Sequence, residues 1–249
     1  MNDSVKELLR QAEAISGSPV QVIYDANLPI SARLQFARGG ASHHLLVVQP
    51  GPSADYFIAN QVGILKRLYA LPASERFDFV IAPKAQQATA ALVDELLIQE
   101  ISRDNSDIAG FTHNVQQWLL ANVRSTPVGM RVDQAIFRDL PSLRESLLAG
   151  IREQNNLNLS GLQNLRKSFR VPAKLAGPAA AYAIFADRLL GGTDYAIPFE
   201  AMGFIDAGRA LIRDFDSVLS DPSSDCRLID VWAQRLGLAD WYRWAPFSA

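Results

Sequence analysis

Apolar positions recur along this chain with two different periods. Between Asp3 and Ile15, the residues Val5, Leu8, Leu9 and Ala12 fall on one face at helical spacing, and Asp3 or Ser4 stands ready to cap the first turn. Ser16-Gly17-Ser18-Pro19 ends that helix. Alternation then takes over. Val20, Val22 and Tyr24 share one side of a predicted strand over 20–24, Leu34 and Phe36 share one side of a second over 30–37, and His44 to Val48 is a continuous apolar run. Asp25 to Pro29 supplies one break and Arg38-Gly39-Gly40 the other, the latter a hairpin signal. A small antiparallel sheet is the expected product.

Beyond Pro50-Gly51-Pro52-Ser53 the pattern is helical to the end. Helices are predicted over 54–70, 85–102, 106–124, 128–139, 142–155, 158–169, 173–191, 198–219 and 226–237. Pro72, Pro141, Pro172, Pro198 and Pro222 stand at the joints, where proline is tolerated. The stretch from Trp232 to Phe247 holds three of the four tryptophans, which predicts docking against the body, because such rings bury large apolar areas. The expected fold class is α+β, a small sheet with its helices followed by a mostly helical C-terminal half. A division near residue 140 separates a 1–140 region from a 141–249 helical region, with the short joint at Leu140-Pro141 packing the two as one unit.

Composition narrows the partners. A net charge of −2 gives no clustered basic surface, so nucleic acid is not an expected partner, and Arg166, Lys167 and Arg170 read as a solvated helix end. Cys226 is the one cysteine, which leaves no internal disulfide and fits a reducing compartment. The first residues are charged and amphipathic, with no apolar run of signal-peptide type, and the most apolar stretch, Ala173 to Leu190, is interrupted by Lys174, Pro178, Asp187 and Arg188. The cytoplasm is the expected setting, with no membrane partner.

The enzyme-like segment is the helix around Ala59-Asn60-Gln61-Val62-Gly63-Ile64-Leu65. A zinc metallopeptidase carries His-Glu-x-x-His on such a helix: two imidazoles four residues apart grip one metal, and the glutamate deprotonates its water. Here Asn60 stands for the first histidine, Gln61 for the glutamate and Ile64 for the second histidine. The flanks and the order helix, sheet, motif helix resemble the ImmA/IrrE-like (minigluzincin) metallopeptidases over residues 1–140. That resemblance implies a zincin-like region, an acidic third ligand from a later helix, matched by Asp133 in Thr126-Pro-Val-Gly-Met-Arg-Val-Asp133, and a setting in bacterial stress response, mobile elements or phage defence. Amides are poor zinc ligands, Ile64 has no donor, and Gln61 does not take up a proton near neutral pH.

The expectation is therefore a pseudoenzyme: a non-catalytic interaction module that holds no metal or cofactor and binds a protein partner. Asn60, Gln61, Ile64, Asp133 and one of His43 or His44 would line its vestigial cleft. Two alternatives stand beside it: a hydrolase with a rearranged metal site of His44, His113 and Asp133, and a structural subunit of a larger assembly. Cys226, following Asp225 at a helix start, has no histidine near it in sequence and is not expected to be a catalytic thiol.

Overall fold

A computed structural model describes residues 1–96, 105–167 and 170–247. Helix α1 (Asp3–Ser16) is capped one residue earlier than expected, by Asn2, whose side-chain oxygen accepts the Ser4 N–H at 2.8 Å. It stops at Gly17, whose φ of 74° lies in the left-handed region open to glycine. Strands β1 (Val20–Tyr24), β2 (Ala32–Gln35) and β3 (His44–Val48) follow.

β3 lies in the middle, antiparallel to β2 across the Arg38-Gly39-Gly40 turn and parallel to β1. The sheet is thus mixed rather than antiparallel. The reason lies in β3: its apolar run is buried along most of its length, which suits a central strand with neighbours on both sides. β2 takes one edge through the turn, and β1 takes the other in the same direction as β3.

Helix α2 (Ala54–Tyr69) packs on α1 and on this sheet. After it come β4 (Phe77–Ile81), α3 (Lys84–Leu96), α4 (Asn105–Asp139) and α5 (Arg144–Arg166). The chain closes with α6 (Ala173–Leu190), α7 (Ile197–Ala201), α8 (Ile205–Ser217), α9 (Asp225–Arg235) and β5 (Tyr242–Pro246). The order is α+β with a helical C-terminal half.

Several boundaries differ from the sequence pattern. The two helices expected over 106–124 and 128–139 are one, with Pro127 inside it. Proline deletes a single N–H bond there, while Val123, Val128, Met130, Val132 and Ile136 keep the helix pressed into the core. The pair expected over 142–155 and 158–169 is likewise one helix, α5. The one helix expected over 198–219 is broken into α7 and α8 at Gly203, whose φ of 82° ends the first piece. The end of the helix expected over 85–102, from residue 97 on, lies outside the described residues, as do 168 and 169.

β4 and β5 have no counterpart in the sequence reading. They form a separate two-stranded antiparallel sheet in which Phe79 faces Trp244 and Ile81 faces Tyr242. The tryptophan-rich end docks as expected: Trp232 and Trp241 are buried, and the Trp232 indole N–H donates to the Leu211 carbonyl at 3.1 Å.

One continuous core runs from Val5 to Tyr242 and draws on both sides of residue 140. α5 packs on α2, and α6 and α9 pack on α4, so the sequence boundary is not a boundary of the core. Among the described residues no helix is long and apolar enough to cross a membrane.

Candidate functional site

The side chains of the motif helix meet a buried carboxylate. Asn60 on α2 donates its amide N–H to Asp133 Oδ1 on α4 at 2.9 Å. Tyr56, one turn earlier on the same face of α2, donates its hydroxyl to the same oxygen at 3.0 Å. From α6, Tyr182 donates to the other oxygen, Oδ2, at 3.1 Å, and the two phenol oxygens lie 3.4 Å apart. Asp133 is 1 % exposed. Three helices are thus joined by one carboxylate and three neutral donors.

Small residues make room for this cluster. A Cβ on Gly63 would come within 2.4 Å of Val132, so α2 and α4 can approach as they do only because that position is glycine. A Cβ on Gly150 would come within 2.0 Å of the Tyr56 ring, so the ring can pack against α5 there only because that position is glycine.

The charge balance is unusual for a buried acid. Arg131 lies two residues from Asp133 on α4, so it points to a different face of the helix. Its guanidinium, 1 % exposed, is committed elsewhere: it donates to Asp225 Oδ1 at 2.6 Å, to the Val218 carbonyl at 3.0 Å and to the Leu219 carbonyl. Arg67 of α2 grips the same Asp225 through two bonds of 2.7 and 2.8 Å. Asp133 is left with dipoles alone. Burial pushes its carboxyl up to about 6, against the pull of the bonds from Asn60, Tyr56 and Tyr182. Burial, and then the neighbouring carboxylate, push both phenols well above their usual range, so both keep their protons and act as donors.

The residues expected to line one cleft separate into two places. Asn60 and Asp133 are together, and Gln61 reaches back with its amide N–H to the Asn60 oxygen at 3.3 Å. Ile64 is half-buried and packs on the apolar core. His44 is not part of this group. Its ring packs on Tyr69, 5.5 Å between centroids, and Tyr69 is nine residues beyond Asn60, about 13 Å along the helix axis. His43 lies just before β3, half-buried, within 3.1 Å of the Ser42 hydroxyl.

The rearranged metal site does not form either. His113 is exposed and lies twenty residues from Asp133 on the same helix, about 30 Å along its axis. A shared metal would need the three ligands within a few ångströms. Among the described residues no group of three or more His, Cys, Asp or Glu side chains is placed to hold a metal. The residues at the motif positions do not fit zinc: one carboxylate, two amides, two protonated phenols and an isoleucine offer no tetrahedral set of nitrogen and sulfur donors.

Cys226 is half-buried, and burial together with Asp230 and Asp225 pushes its thiol up to about 11, which keeps it un-ionised and unreactive at neutral pH. Two surface grooves, of about 320 and 330 Å³, lie beside Lys84 and Trp241 and beside Ile197 and Arg209. Neither is lined by Tyr56, Asn60, Asp133 or Tyr182.

Tyr56 and Tyr182 were not anticipated from the sequence. Tyr56 carries a signal, since it precedes Asn60 by one helical turn. Tyr182 has a fainter one, as the one residue with a polar tip in the apolar run Leu175 to Ala186. Comparison of the chain with protein-family models, with curated proteins and with solved structures found no match in any of the three.

Proposed function

We propose that this chain is a non-catalytic protein-interaction module built on a degenerate zincin-like framework. The observation that carries the reading is the bond from Asn60 to Asp133. The motif register places these two residues where a metallopeptidase has a metal ligand from each of two helices. Here an amide donates a hydrogen bond directly to the acid, and the two phenols close around it. A catalytic zinc site needs three ligands and an open position for water. The Asp133 cluster has one ionisable acid, no base above it and no exposed face. Its donors hold helices together instead of activating a nucleophile.

The interaction role rests on the resemblance: binding is the part of such a framework's work that does not need the replaced metal ligands. The test is proteolytic activity with zinc supplied. Unstructured peptides of mixed sequence, incubated with the purified chain and zinc and read by mass spectrometry, are expected to stay intact. Cleavage at defined bonds that disappears in Asp133→Asn would overturn the reading.

A further inference from the structure

His44 is completely buried at the junction of the two sheets. Its Nδ1 accepts the Ala37 backbone N–H at 2.9 Å. A backbone N–H can only donate, so Nδ1 carries the lone pair and the ring proton sits on Nε2, which has no hydrogen-bond partner among the described residues. The ring is enclosed edge-on by Phe36 and Tyr69, at 6.1 and 5.5 Å. Phe247, at the end of the chain beyond β5, packs on both of those rings at 5.6 and 5.9 Å, and its N–H donates to the Arg76 carbonyl.

The charges around this box are mostly positive. The Arg38 guanidinium lies 4.3 Å from the Phe247 ring, and Arg76 lies 4.6 Å from the Tyr69 ring. Arg124 on α4 acts on the Arg38–Asp78 pair, and His43 adjoins on the chain itself. The nearby carboxylate of Asp78 on β4 is already held by Arg38 through two bonds of 2.7 and 2.6 Å.

We propose that His44 is an acid-sensitive latch: a proton taken from solvent at Nδ1 displaces the Ala37 N–H and releases the segment 36–38 and the Phe247 end of β5. Among the described residues a protonated ring has no acceptor for either N–H in the closed box, and its charge would be buried beside His43 with the nearby carboxylate of Asp78 already taken by Arg38. Opening the box gives water to all of them. Phe247 leaves with the ring it packs on, because its neighbours are the neighbours of His44.

The direction is set by linkage. Burial, then His43, hold the His44 imidazole below its ordinary 6.5 in the closed form, while the open form titrates normally. The closed form is therefore fully favoured above about 6.5, and below it the open population rises, by at most about tenfold per pH unit, until the lowered value of the closed form is passed.

Hydrogen exchange of the full chain between pH 7.5 and 5, corrected for intrinsic rates, tests this. Segments 36–44 and 242–247 are expected to lose protection progressively below pH 6.5, by at most about tenfold per pH unit, while α2 and α6 stay protected. His44→Asn places a carbonyl oxygen where Nδ1 was and cannot take the proton, so its protection is expected to stay flat. Equal protection of these segments at both ends of the range, or the same loss in His44→Asn, overturns the proposal. Should that variant not fold, the wild-type ring decides it: a His44 resonance that titrates at an ordinary 6.5 without any loss of protection overturns the latch equally.

Discussion

Replacing Asp133 with alanine is expected to lower stability at pH 7 by roughly 3–4 kcal/mol, because it strands buried donors at 1–3 kcal/mol each. Tyr56 and Tyr182 can turn toward each other across their 3.4 Å gap, but the Asn60 amide has no second acceptor among its bonds. The isosteric Asp133→Asn keeps the volume and changes the proton. The carboxyl titrates at 3.8 in the unfolded chain and at about 6 in the fold, so between those values the folded protein binds the extra proton and stability rises as pH falls. Wild type is therefore expected to gain roughly 2–2.5 kcal/mol on Asp133→Asn between pH 7.5 and 4, at about 1.4 kcal/mol per unit. Urea unfolding of both proteins across that range measures it. A pH-independent difference between them would mean that the buried acid does not titrate as its surroundings require.

The second large effect is expected at Asp225. Asp225→Ala leaves Arg131 buried, its remaining hydrogen bonds going to the carbonyls of Val218 and Leu219, and releases Arg67 from its main partner. Breaking one side of a buried ion pair costs about 3–5 kcal/mol. The same network is expected to tolerate removal as a whole far better than in part. In Arg131→Met combined with Asp225→Leu the buried charge goes with its partner, and apolar atoms fill the space. Thermal unfolding of the two single variants and the double variant forms a cycle. The double variant is expected to lie above the sum of the singles by at least 2 kcal/mol, within the range seen for residues in one network. Additive losses would place Arg131 and Asp225 in separate roles.

How legible this arrangement was depends on distance along the chain. Helix, sheet and motif helix could be read because amphipathic spacing is local: Val5, Leu8 and Ala12 need only each other to define a face. Asn60 and Asp133 were expected to line one cleft through the resemblance alone, since no local pattern joins two residues so far apart in the chain, and the structure shows them hydrogen-bonded. β4 and β5 were not, since neither strand is stable alone and the partner of Phe79 is Trp244, far along the chain. Pro127 read as a boundary because a sequence cannot show how much buried surface holds a helix together across one lost bond. For His44, alternation along β3 showed that it faces the opposite way from its neighbour. It could not show that the cover would be Phe36, Tyr69 and the chain end instead of the Asn60 cluster. Tyr182 lay hidden in an alanine-rich helix, where only the fold brings it to Asp133.

The buried acid Asp133 and the buried histidine His44 also divide the labour of pH. Asp133 favours the folded core as pH falls, whereas His44 favours opening at one edge of it. Acid is therefore expected to loosen the junction of the sheets while the helical core, held through α2, α4 and α6, gains stability.

Zinc content tests most directly the proposal that the cluster on α2 is non-catalytic. The chain, purified without chelator and passed through gel filtration, is measured by elemental mass spectrometry. A sealed cluster of Tyr56, Asn60, Asp133 and Tyr182 predicts far less than one zinc per chain, unchanged in Asp133→Asn. About one zinc per chain, lost in that variant, would contradict a non-catalytic framework and make Asp133 a metal ligand.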